Sequence, residues 1–158
     1  MFVKSYRVFV TLAVLVLGGC ASHPPDERVP TRASLSASQD VNPDISGRPS
    51  PVVVRIFQLR AESEFQAADF PSLYAHDKES LGASLIVSQE FELRPGDHLD
   101  TRIPVARDAR YVGAIAAYRD LSASQWRVLR VRPSHSLFVS ESVVVNVDRN
   151  TLTLSVNH

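Results

Sequence analysis

From Thr31 onward, apolar side chains recur at every second position, in short runs separated by turn residues. Alternation with period two puts neighbouring side chains on opposite faces of a strand, so each run offers one face to a core. "RASLSASQ" sets Ala33, Leu35 and Ala37 against Ser34, Ser36 and Ser38, a small-residue strand that suits a sheet edge. "PVVVRIFQL" (51–59) is apolar on both faces apart from Arg55 and Gln58, as expected of a central strand covered on both sides. "SLIVSQEFEL" gathers Leu85, Val87, Phe91 and Leu93 on one face, and "HLDTRIPV" gathers Leu99, Thr101, Ile103 and Val105. "ARYVGAIAAY" (109–118) is rich in strand formers but small at Gly113, Ala114, Ala116 and Ala117, which lets another layer approach closely. "QWRVLRV", with Trp126 as a core or edge plug, "SVVVNVD" and "TLTLSV" complete the set, the last two joined by the short turn "DRN". Eight short strands in a chain of this size predict an all-β protein, a two-sheet β-sandwich.

One stretch breaks the alternation. Glu62 to Gly82 carries helical spacing, with Phe65 and Ala68 three apart and Leu73, Tyr74, Asp77 and Leu81 following Pro71. Proline suits a first helical turn and glycine suits a helix end. One or two short helices packed on the sandwich are expected, with Phe65, Phe70 and Tyr74 in a satellite core.

A second irregular segment, "DVNPDISGRPSP" (40–51), joins the first two strands. It holds three prolines, a glycine, two aspartates and Arg48. Each proline restricts the residue before it, so the loop loses less entropy on ordering and can be preorganised for a partner. An ordinary crossover between the sheets would use the same residue types.

The first nineteen residues differ from the rest. Lys4 and Arg7 precede Val8 to Leu17, an uncharged apolar run. As a helix ten residues reach about 15 Å, roughly half a bilayer's hydrocarbon core, so the run is short for a membrane span and reads as an export signal. Cys20, the single cysteine of the 158-residue chain, follows directly. One cysteine excludes an internal disulfide, and no Cys/His spacing suggests zinc. With Lys4 and Arg7 removed, 15 basic residues face 17 acidic ones, which gives no basic excess for nucleic acid. The expected organisation is a signal peptide (1–19), a polar, proline-rich tether (20–30) and a sandwich domain (31–158).

"LGGC" (17–20) resembles the lipobox of bacterial lipoproteins: a leucine, two small residues, then the cysteine. That resemblance implies a lipid on Cys20, cleavage before it, and, with Ala21 rather than aspartate next, the outer membrane. The ordered set "VNPDISGRPSPVVVRIFQL", "FQAADFPSLY", "SLGASLI", "FELRPGD" and "YVGAIAAYRDLSASQWR" resembles the TssJ (SciN, VasD) family, outer-membrane lipoproteins of type VI secretion systems. It implies a transthyretin-like sandwich that anchors a membrane complex by binding the periplasmic C-terminal domain of the inner-membrane protein TssM. The family's contact loop maps here onto Asn42, Pro43, Asp44 and Arg48.

Catalytic signatures are missing from the sequence. There is no G-x-S-x-G elbow, P-loop or G-x-G-x-x-G, and the histidines are scattered. A non-enzymatic binding protein is expected, with no cofactor, metal or small-molecule substrate. Two alternatives are a periplasmic ligand- or metal-binding lipoprotein using His76, His98 and His135, and a pilotin-like helper of another secretion system.

Overall fold

β1 (Arg28–Ala37) pairs on both sides, antiparallel with β4 (His98–Ala106) and parallel with β7 (Ser142–Val147). β8 (Leu152–Asn157) adds beyond β7, giving sheet A the order β4-β1-β7-β8. Sheet B has the order β3-β2-β5-β6, from β2 (Val52–Leu59), β3 (Leu85–Leu93), β5 (Tyr111–Ala116) and β6 (Arg127–Val131), all antiparallel. This computed structural model describes residues 28–132 and 141–157. The two four-stranded sheets face each other as the expected β-sandwich.

The inner faces supply one core. Leu35, Val54, Ile56, Ile103, Val105, Ala114, Val143, Val145, Val147 and Leu154 are all buried in it. Between the sheets lies Gln58, whose amide donates to the Pro104 carbonyl (2.9 Å) and accepts from the Ala106 N–H (2.9 Å). It satisfies the free edge of β4 in the manner of a strand partner, which is why a buried polar side chain is tolerated here. Arg132 donates to the Ala106 carbonyl and pairs with both Glu141 oxygens at 2.7 and 2.8 Å, so its buried charge is matched.

Sheet B carries a second core on its outer face. Three short helices, α1 (Ser63–Ala67), α2 (Phe70–Ala75) and α3 (Asp77–Leu81), and a 3-10 turn (Gly82–Ser84) lie over it. Phe65, Leu73 and Leu81 bury against Phe57, Leu59 and Ile115. Asp69 caps α2 by accepting from the Ser72 N–H, Pro71 lies in that first turn, and Gly82 (φ +49°) ends α3. Sheet arginines hold the opposite helix ends. Arg127 donates to the Phe65 and Ala68 carbonyls, and Arg55 to the Tyr74 carbonyl, where a cation favours the helix dipole. Gly113 is the close-approach residue: a Cβ there would meet the Phe65 ring at 2.8 Å.

Four expectations change. β1 is central rather than an edge strand, because its small residues sit between two partners and leave one face open. β1 begins at Arg28, inside the stretch assigned to the tether, since β4 continues to pair with it as far as Ala106. The apolar residues of β3 do not share a face: a bulge opposite Gln58/Leu59 puts Leu85 under the helices and Phe91 and Leu93 in the sandwich. The helical insertion has three short helices rather than one or two, because His76 breaks the run between α2 and α3 with φ −135° and ψ 39°.

Candidate functional site

The loop between β1 and β2 lies at the end of the sandwich away from Arg28, and its backbone is fixed from both sides. Ser38 N–H donates to the Val147 carbonyl, Asn42 N–H to the Arg149 carbonyl, and Ser50 N–H to the Val41 carbonyl. Asn42 is the keystone. It is 4% exposed and adopts φ +49°, a left-handed conformation that asparagine tolerates better than most residues. Its side chain donates to the Pro51 carbonyl (2.6 Å) and accepts from the Arg119 N–H (2.8 Å), tying the loop to the β5–β6 connection.

Asp44 organises the tip. Its carboxylate accepts from the backbone N–H of Ser46 and of Arg48 and pairs with the Arg48 guanidinium at 2.8 Å. The Gly47 N–H closes a turn on the Asp44 carbonyl, at φ +77°. These donors, the Arg48 N–H foremost, hold the Asp44 carboxyl below the ordinary aspartate range. Ile45 is left fully exposed at the crest, at 107% of its reference area.

Two further segments complete a groove of about 730 Å³. Its walls include Asn42, Pro43, Asp44 and Ile45 on one side, with Tyr118, Arg119 and Asp120, and Arg149 and Asn150, on the others. Asp120 caps its own turn through the Ser122 hydroxyl and the Ala123 N–H, which lowers its pKa. The Tyr118 hydroxyl donates to the Asp148 carbonyl, and burial pushes its pKa well above the ordinary phenol value. Asn150 donates to the Ala123 carbonyl and Gln125 bridges Thr151, so the three connections brace one another. A rigid rim with one bare apolar side chain among arginines and aspartates is suited to binding a macromolecule: the ordering entropy is already spent, and the exposed isoleucine can be desolvated by a partner.

The four loop residues expected at this site have different positions. Asn42 is a buried foundation, Pro43 and Asp44 are half-buried in the groove wall, and Arg48 is exposed at the loop tip, paired with Asp44. Ile45, Arg119 and Arg149 were not singled out by the sequence pattern. For Ile45 a signal existed: a bulky β-branched residue between aspartate and Ser-Gly has no core to serve. Cys20 and His135 lie outside the described residues. His98 sits beside Asp100 on sheet A and His76 beside Glu79 on the helical layer, on opposite sides of the sandwich. Among the described residues no cluster of His, Cys, Asp and Glu could hold a metal ion.

Residues 30–154 match a family described as type VI secretion lipoprotein, VasD, EvfM, TssJ. Among solved structures the chain is similar to the type VI lipoprotein TssJ1 of Pseudomonas aeruginosa, with 26% identity over 82% of this chain and 98% of that one (TM-score 0.73). It is similar to Serratia marcescens Lip, described as a membrane-bound component of the type VI secretion system, with 33% identity over 80% and 97% of the two chains (TM-score 0.66). A third similar chain belongs to a structure of the TssM C-terminal domain from EAEC, with 30% identity over 79% and 99% (TM-score 0.66). No match was found among curated proteins.

Proposed function

The chain belongs to the family of type VI secretion lipoproteins that includes VasD, EvfM and TssJ, and from that premise we propose that it is the outer-membrane anchor of a type VI membrane complex. In this reading Cys20 carries the lipid, the following residues tether the domain, and the sandwich grips the periplasmic C-terminal domain of TssM without catalysing a reaction. The supporting observation is the braced groove at the loop end, with Ile45 bare on its rim and Arg48 beside it. That end is separated from the tether end by the length of β1, about 30 Å for ten residues. A partner approaching from the inner membrane would meet the loop end first.

Asn42 and Asp44 serve the contact by shaping the loop, whereas Ile45 and Arg48 are the side chains offered to the partner. A partner that encloses Ile45 would desolvate it, the condition under which an interface side chain carries binding energy. Capture of the TssM periplasmic domain on the immobilised full chain tests this. Ile45→Asp is expected to weaken capture by roughly tenfold or more, with thermal unfolding unchanged, because Ile45 contributes nothing to the core. Unchanged capture by Ile45→Asp and by a chain whose 40–50 loop is replaced with Gly/Ser would remove the loop from the interface. Loss of membrane flotation in Cys20→Ser checks the lipid anchor separately.

A further inference from the structure

On the outer face of sheet A, at the middle of the β1–β4 ladder, Arg32 on β1 stands directly opposite Arg102 on β4. Directly opposed residues share a face, with Cβ atoms about 5 Å apart, and like charges placed so repel. Both side chains are exposed, and among the described residues no carboxylate pairs with either. They flank a shallow trough of about 620 Å³ that also takes in Ser34, Asp100, Ser142 and Val144. Arg28 and Arg107 continue the basic surface toward the end of the strand pair, and exposed Arg110 lies on the adjoining turn. Among the described residues nearby, Asp108 pairs with Arg60 and Glu141 with Arg132, while Asp100 contacts His98 at 3.2 Å in the trough itself. Glu62 and Glu64 belong to the helical layer, across the molecule.

We propose that this basic outer face of sheet A, centred on the Arg32–Arg102 pair, rests on an anionic phospholipid surface. The proposal rests on the reading of Cys20 as the anchor and adds an orientation to it. Seven residues lie between Cys20 and Arg28, a reach of at most about 28 Å over eight Cα steps, so an anchored chain holds the start of β1 near the bilayer at high effective concentration. Phosphodiester headgroups would relieve the repulsion that the fold leaves uncompensated, and each arginine close to an anionic surface strengthens its attachment by about fivefold. Val29, one of the few large apolar side chains exposed among the described residues, lies near the start of β1.

The full chain is mixed with phosphatidylcholine vesicles, with and without phosphatidylglycerol, at low and high salt, and followed by flotation and hydrogen exchange. An anchored chain floats with both compositions. The N-terminal half of β1 and the C-terminal half of β4 are then expected to exchange more slowly only on phosphatidylglycerol vesicles at low salt, and R32Q/R102Q is expected to abolish that protection. If the anchor reading fails and the chain does not float with neutral vesicles, flotation on anionic vesicles alone, lost in R32Q/R102Q by about tenfold or more, still supports the surface. Protection equal on neutral and anionic vesicles, or flotation with neither, overturns it. So does an R32Q/R102Q variant that keeps its vesicle contact but loses TssM capture, which would make the patch a protein interface.

Discussion

The two sheets have similar inner faces and different outer ones. Sheet B turns Phe57, Leu59 and Ile115 outward, and three short helices bury them under Phe65, Leu73 and Leu81. Sheet A turns Ser34, Ser36, Ser142, Asn146, Thr153 and Ser155 outward, and no helix or strand among the described residues covers them. Period two therefore reports the inner layer, and residue size on the other phase reports whether a further layer exists. The contrast also separates roles: the covered face is committed to stability, while the open face can take charges such as Arg32 and Arg102 whose cost is relieved from outside.

The sharpest way to break this comparison is to truncate one residue at the outer surface of each sheet, on sheet B in the helical layer that covers it. Phe65→Ala removes a fully buried ring tilted against Phe57 at 5.3 Å between centroids and is expected to cost about 3–5 kcal/mol in urea unfolding. Ser34→Ala at the matching layer of sheet A should stay within about 0.5 kcal/mol. Comparable losses would mean that sheet A is covered too. A smaller effect is expected from Gly113→Ala, whose new methyl meets the Phe65 ring at 2.8 to 3.1 Å. It should cost about 1–3 kcal/mol and raise hydrogen exchange in the helices, while the β1–β7 ladder is unchanged.

Acid should separate the regions least. Hydrogen bonds accepted from Ser38, Arg48 and Ser122 lower the pKa of Asp40, Asp44 and Asp120 at the loop end, and those from Ser84 and Ser72 lower Glu64 and Asp69 in the helical layer. A group depressed by folding stabilises the native state above its unfolded value, and that contribution is lost as pH falls through the folded value. Between about pH 5 and pH 3, local opening of the 40–51 loop and the helices is expected to rise faster than opening of β1 and β7, after correction for intrinsic exchange rates. Uniform loosening of the whole sandwich would refute the link to these carboxylates.

Much of this was legible in the sequence. The strands, the inward valines of β7, the close approach at Gly113 and the irregular 40–51 loop each have a local cause in residue size, branching or proline. The misreadings share another origin. β1 looked like an edge because its residues are small, but its neighbour β7 is over a hundred residues away in sequence. The split face of β3 depends on a bulge that only its pairing with β2 creates. At the groove, Asn42 could be noticed but not given its task, because the Arg119 N–H that it accepts from comes from another connection.

Sequence by itself determined the class of fold, the position of the helical insertion, the single cysteine after an apolar run, and the loop whose prolines limit its freedom. These follow from periodicity and backbone restriction, which act between near neighbours. Tertiary structure decided which strands lie side by side, which outer face is bare, that Ile45 is presented while Asn42 is hidden, and that Arg32 faces Arg102. Those outcomes depend on pairing between distant segments, where register places each side chain in a core, on a rim or against a like charge.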